Sequence, residues 1–263
     1  MKEGNLMAKI ISIANQKGGI GKTTTATSIA CILNQKGYRT ILIDTDPQSN
    51  SSDTYKASIE GYTTLSDVIL ATDDPSPMKD AIQETESGLI IAADEHLAKA
   101  DRIIGTDLDS FYLLDEAIET ITDDFDYIII DTAPTKNIIL QNSLIASDEV
   151  IIPVTADRYG FQGIDSLIGS TIKTIKKHNK RLKIAGLLLV RYNPRTVISQ
   201  SAKEQLQAIA DKLGIRLFST TIRESTKVKE AQAKRIPLQM YAPGCTTARD
   251  YDDFVDEWLK GDA

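Results

Sequence analysis

Cysteine and histidine are scarce: the 263 residues contain two of each. Cys31 and Cys245 lie far apart and neither has a C-x-x-C partner. His96 and His178 have no companions at ligand spacing, so no zinc site is expected. Cys31 stands among Ile29, Ala30, Ile32 and Leu33 and reads as a buried packing residue, whereas both histidines read as surface residues. The sequence also lacks any apolar run near the roughly 20 residues that cross a bilayer. Its first residues do not show the charged, apolar and small-residue series of a secretory signal. These absences point to a cytoplasmic protein without a membrane segment.

What is present suits one large α/β domain. With 41% hydrophobic residues the chain can bury a substantial core, and a single domain is expected over 8–263. Met1 to Met7 is too short to fold alone and is expected to form a flexible N-terminus, with Met7 a candidate alternative start. No separate N-terminal DNA-binding module is expected. The net charge of −7 argues against nucleic-acid binding, but its distribution argues for it. Thr171 to Arg235 holds 16 basic and 4 acidic residues, against 14 basic and 33 acidic elsewhere. Such asymmetry concentrates a positive field on one surface. Lys173, Lys176, Lys177 and Lys180 by themselves read equally well as a solvated helix surface.

Short apolar runs recur with helix-patterned segments between them: Ile10 to Ala14, Thr40 to Asp44, Gly88 to Ala92, Tyr127 to Asp131, Glu149 to Val154, Ile184 to Val190 and Arg216 to Thr220. This alternation predicts a three-layer α/β fold, a mostly parallel twisted sheet with helices on both faces. Ala71 to Thr85, with Asp74-Pro75-Ser76-Pro77, reads as a loop. Gly37 is expected to close the first helix, and Tyr251, Phe254, Val255, Trp258 and Leu259 recur at the spacing of a packed terminal helix.

The stretch Asn15-Gln16-Lys17-Gly18-Gly19-Ile20-Gly21-Lys22-Thr23-Thr24 joins the first apolar run to the first helix. Its glycines let backbone N–H groups turn toward an anion, and the helix adds its positive N-terminus. Lys22 reaches the outer phosphates and the Thr23 hydroxyl suits Mg²⁺. A strict Walker A loop has glycine where this chain has Gln16, and Lys17 follows at the second position. The chain thus matches the deviant pattern KGGxGKT/S and resembles the ParA/MinD family of P-loop ATPases, most closely the ParA (Soj-like) partition ATPases.

Further motifs agree. Asp44-Thr45-Asp46-Pro47-Gln48 ends the second strand and resembles the family's DxDPQ motif, while Asp131 ends the Walker B-like run Ile128-Ile129-Ile130. Nucleotide hydrolysis needs an oriented water, neutralisation of phosphate charge and an oxygen-bound metal. The resemblance implies that ATP contacts Lys17, Gly18, Gly19, Ile20, Gly21, Lys22, Thr23 and Thr24. It also implies that Asp46 positions the attacking water, that Asp44 supports the metal shell or the switch loop, and that Thr23 and Asp131 serve Mg²⁺. Lys17 would cross a face-to-face homodimer to the nucleotide of the other subunit. Ala133 departs from the family's paired prolines, which leaves the conformation of the switch segment open.

The same resemblance assigns Asn193 and Pro237 to the adenine. It assigns Arg223, Lys227 and Lys229, with Arg191 and Arg195, to nonspecific DNA, whose phosphates need no base readout. It implies a nucleoid-associated protein whose hydrolysis is stimulated by a ParB-type centromere-binding partner. The chief alternative is a MinD-like membrane-associated positioning ATPase. That would require a basic amphipathic C-terminal helix, yet the end carries Asp250, Asp252, Asp253, Asp256 and Glu257. A redox ATPase of the nitrogenase iron-protein type would need cluster-ligating cysteines, which are absent. A metabolic kinase or synthetase of similar fold is the remaining alternative.

Overall fold

Ile128, Ile129 and Ile130 are all fully buried because their strand has apolar layers on both faces. The structure, a computed structural model, describes residues 7–71, 74–105, 109–156, 164 and 167–261. The strands are β1 (Lys9–Ile13), β2 (Thr40–Asp44), β3 (Ile82–Thr85), β4 (Gly88–Ile91), β5 (Tyr127–Asp131), β6 (Glu149–Thr155) and β7 (Lys183–Val190). They form one sheet in the order β3-β4-β2-β5-β1-β6-β7, parallel except for β3. The strand pleat sends Ile10, Ile41, Ile43, Ile128 and Ile130 into one layer and Ile11, Ile13, Leu42 and Ile129 into the other.

Helix α1 (Lys22–Gln35) covers the second layer beside the terminal helix Thr246–Lys260. Gly37, at φ 86°, ends α1. Tyr38 N–H bonds Leu33 C=O at 3.1 Å and Gly37 N–H bonds Asn34 C=O at 3.0 Å, a paired closure that only a left-handed residue allows. Two further short helices follow β2, α2 (Asn50–Thr54) and α3 (Leu65–Ile69), and Ile138–Ala146 covers the opposite face.

Trp258 anchors the terminal helix. It is 2% exposed, meets Tyr127 edge-on at 5.8 Å, and donates its indole N–H to Glu149 Oε2 at 2.9 Å. Glu149 also pairs with Lys9 at 2.9 Å, so three elements close over one carboxylate. Trp258→Ala should lower stability by about 3–5 kcal/mol in urea denaturation. A change below about 1 kcal/mol would show that the terminal helix is not part of the core.

Two expectations are corrected. Ile82–Thr85, read as loop, is an edge strand antiparallel to β4 across the turn Glu86-Ser87. Edge strands need little apolar surface, which is why one isoleucine suffices there. Arg216 to Thr220, read as a strand, makes only an isolated bridge between Leu217 and Leu187. Glu257 takes the N–H groups of Ser219 and Thr220 at 2.8 Å each, removing the donors that a longer ladder would use. The expectation for Met1 to Met7 lies outside the described residues except at Met7.

Candidate nucleotide-binding site

β1 lies inside the sheet between β5 and β6, so the turn at its carboxyl end opens where the chain's successive strands lead off in opposite directions. Asn15 fixes the start of that turn. Its amide donates to Pro153 C=O at 2.8 Å and its Oδ1 accepts Lys17 N–H at 3.0 Å. Gly19 and Gly21 adopt φ 71° and 87°, and a Cβ at Gly18, Gly19 or Gly21 would meet no atom within 4 Å. Glycine is therefore needed at 19 and 21 for backbone conformation, not for room within the chain. Gly21 C=O accepts Thr25 N–H as α1 begins.

Lys22 folds back over the loop and donates to Lys17 C=O at 3.2 Å. Burial pulls its ammonium below the usual lysine range, against the attraction of Asp131 and Asp46. Asp44 and Asp131 are register partners at the ends of β2 and β5. Burial raises both carboxyls, and the Asp131 charge raises Asp44 further; hydrogen bonds from Ser51 and Thr23 and the charge of Lys22 oppose the rise at Asp131. Asp44 is occupied by the chain itself. Its Oδ2 accepts from Ser52 N–H and hydroxyl at 2.8 Å each, and its Oδ1 accepts from Asp46 N–H at 3.1 Å. Asp131 Oδ2 accepts from Ser51 at 2.7 Å, but its buried Oδ1 has no hydrogen-bond partner among the described residues.

An unpartnered carboxylate oxygen beside the Thr23 hydroxyl and a phosphate loop is the donor set that a hydrated Mg²⁺ requires, so these residues fit the ion. Asp46 is 7% exposed and accepts Gln48 N–H at 3.0 Å. It lines a cavity of about 630 Å³ together with the loop from Gly18 to Thr24, Gln48, Pro134 and an apolar wall of Val190, Ile222, Val228 and Tyr251.

The structure does not bring every predicted residue into that wall. Lys17 Nζ lies 3.4 Å from Thr155 Oγ1 at the end of β6, and the residue does not line the cavity. Asn193 lines a neighbouring groove and turns its Oδ1 to Arg195 N–H at 3.0 Å. Pro237 is buried as the N-cap of the short helix Leu238–Tyr241. Neither residue is part of the phosphate cavity's lining.

The five predicted DNA cations divide. Arg223 is clamped to Asp250, with Nε 2.9 Å from Oδ2 and its backbone N–H on the same oxygen at 2.9 Å. Asp250 is 5% exposed, so Arg223 neutralises a buried acid of the terminal helix and that acid holds the guanidinium charge. Lys227 pairs with Glu230 at 2.7 Å on the surface. Arg191 turns to the cavity mouth. Arg195 and Lys229 have no side-chain partner among the described residues, and both line the outer groove.

Three features were missed in the sequence. Ser51 and Ser52 clamp the two acids, Gln232 reaches Thr24 Oγ1 at 3.4 Å, and Arg235 braces Asp53 of α2 at 2.7 Å. The serine run after Pro47-Gln48 was a visible signal for the first; the other two join residues too distant in sequence to be paired by pattern.

A family profile described as an AAA domain matches residues 8–184. Across 258 residues the chain is 33% identical to the sporulation initiation inhibitor protein Soj of Bacillus subtilis, covering 95% of this chain and 98% of that one. It belongs to the ParA/Soj family of P-loop ATPases. The chromosome partitioning protein ParA of Caulobacter vibrioides is 31% identical over 92% of this ParA-like chain and 91% of its own length. The fold agrees. Cobyrinic acid a,c-diamide synthase from Mycobacterium smegmatis, solved with a bound ATP analogue and magnesium, superposes with a TM-score of 0.82 at 26% identity. That likeness covers 96% of this chain and 95% of that one. Among the described residues of this ParA-like ATPase, no helix is long and apolar enough to cross a membrane.

Proposed function

We propose that this protein is a DNA-partitioning switch driven by ATP. The observation that supports it best is the division of labour between the two loop lysines. Lys22 is folded over the phosphate cradle of its own chain, whereas Lys17 turns to Thr155 at the end of β6 and does not line the cavity, beside the exposed Gly18 and Gly19. A second copy docking face to face on those glycines meets Lys17 as an added cation for its own triphosphate. Nucleotide binding and dimerisation are then one linked equilibrium.

Gly18 to Thr24 hold the phosphates of ATP, and Thr23 with Asp131 holds Mg²⁺. When bound, the ion neutralises phosphate charge. Asp46 orients the water that attacks the γ-phosphate. Asp44, hydrogen-bonded to Ser52 and Asp46, holds the switch loop in register with the strand ends. Intrinsic turnover is slow, giving the ATP state a lifetime on DNA, and a ParB-type partner on the plasmid or chromosome triggers hydrolysis and release. This assigns the protein to the nucleoid in the cytoplasm.

DNA is held through Arg195, Lys227 and Lys229, while Arg223 keeps the terminal helix in place. Arg195→Ala should lower the slope of log affinity against log salt by about one, with ATP affinity unchanged. Arg223→Ala should act instead on stability, since it leaves Asp250 buried and unpaired. An unchanged salt slope for Arg195→Ala would move the DNA surface elsewhere. The overall reading is tested by cosedimentation with random-sequence DNA and with anionic liposomes, each with and without ATP. ATP-dependent recovery with DNA alone is expected, because the terminal helix buries Tyr251, Phe254, Val255 and Trp258 in the core and has no apolar face left for lipid. Recovery with liposomes alone would support the MinD-like alternative.

A further inference from the structure

Arg191 follows β7 directly and adopts φ 53°, a left-handed conformation that is costly for a bulky side chain and persists only where the surroundings hold it. Two bonds hold it here. One guanidinium nitrogen donates to Gly19 C=O at 3.3 Å, in the middle of the phosphate loop. The other meets Glu224 Oε1 at 3.1 Å. Glu224 is fixed in turn by its backbone N–H, which donates to Tyr192 C=O at 3.2 Å. Arg191, Glu224 and Gly19 all line the cavity that holds Lys22 and Asp46. A cation assigned to DNA from the sequence thus stands at the mouth of the nucleotide site, already touching the loop.

We propose that Arg191 is a further cation of the phosphate site, latched by Glu224 and transferred to the phosphates when ATP enters. The inference rests on the ATP-binding reading of the loop. Its physics is a competition for one guanidinium. The Arg191–Glu224 pair is half-exposed on both sides, at 54% and 52%, so water screens it and the pair holds loosely. A triphosphate brings several negative charges and oxygens spaced for two parallel guanidinium bonds, which a single carboxylate oxygen at 3.1 Å does not match. The incoming charge also repels Glu224. Arg191 is thereby a phosphate-binding residue that favours polyphosphate over nucleotides with fewer charges. The segment Arg223 to Ser225, which carries Glu224 and lines both the cavity and the outer cationic groove, loses its tie to Arg191 when the site fills.

The test uses the full chain with Mg²⁺ and measures ATP and AMP affinity by competition with a fluorescent ATP analogue. The variants are Arg191→Asn, which tolerates the left-handed backbone and removes the charge, and Glu224→Gln, which removes the latch. Arg191→Asn should weaken ATP about tenfold and AMP by much less, and Glu224→Gln should tighten ATP severalfold. Unchanged ATP affinity in Arg191→Asn overturns the proposal, and so does an equal loss for ATP and AMP, which would mark a merely structural role. Loss of DNA retention with normal ATP affinity would return Arg191 to the DNA surface and also overturn it. A wild-type protein that binds no ATP would sink the site reading itself, a result distinct from all of these.

Discussion

Lys22→Ala should weaken ATP binding at least a hundredfold, the equivalent of roughly 3 kcal/mol. Lys22 is 7% exposed, and its ammonium lies within the influence of Asp131 and Asp46. Its burial is unfavourable for the charged form, and phosphate oxygens are the partners that offset this cost most fully. Removing it takes away a charge-assisted bond and leaves two acids facing an anionic ligand. Calorimetry against Mg²⁺–ATP measures the loss, and a thermal melt separates it from unfolding. Normal affinity in a folded Lys22→Ala variant would remove the phosphate cradle from the account.

The second large effect concerns hydrolysis rather than binding. Asp46→Ala should lower ATP turnover by about 10²-fold or more while ATP stays bound, because orienting and deprotonating a water contributes on that scale. Asp46 lines the cavity facing the loop, and its Oδ1 also accepts Gln48 N–H, so alanine removes both charge and a turn contact. Asp46→Asn separates the two, since an amide oxygen still accepts from Gln48. Equal loss in both variants would assign the effect to the carboxylate charge. Full turnover in Asp46→Asn would assign it to the turn, and full turnover in both would exclude Asp46 from the mechanism. With hydrolysis blocked, the ATP-bound dimer should accumulate on DNA.

The central strands were legible because a parallel strand covered on both faces has to be apolar throughout, as Ile41-Leu42-Ile43 and Ile128-Ile129-Ile130 are. The phosphate loop was legible because left-handed turns and close anion approach restrict Gly19 and Gly21 to glycine. β3 was hidden by its polarity, which an edge position permits. The stretch from Arg216 to Thr220 looked like a strand because β-propensity does not register a carboxylate such as Glu257 competing for its backbone donors. The roles of the cations were the least legible. A count of lysine and arginine shows where positive charge accumulates, but not that Arg223 is committed to Asp250 or Arg191 to Glu224, since both partners depend on tertiary contacts.

One consequence of this arrangement joins the nucleotide site to the cationic groove. Gln232, on the helix Thr226–Lys234 that also carries Lys227 and Lys229, lies 3.4 Å from Thr24 in the first turn of α1, directly after the phosphate loop. The helix that carries Lys227 and Lys229 therefore touches the first turn of the helix that follows the phosphate loop.

The mass of the protein in solution tests the proposed switch most directly. Light scattering on the full chain, saturated with Mg²⁺ and a non-hydrolysable ATP analogue, should report twice the 28.9 kDa of a single chain and return to one chain when the nucleotide is removed. A particle that stays at 28.9 kDa with the site demonstrably filled would contradict the account, because Lys17 would then have no second triphosphate to meet.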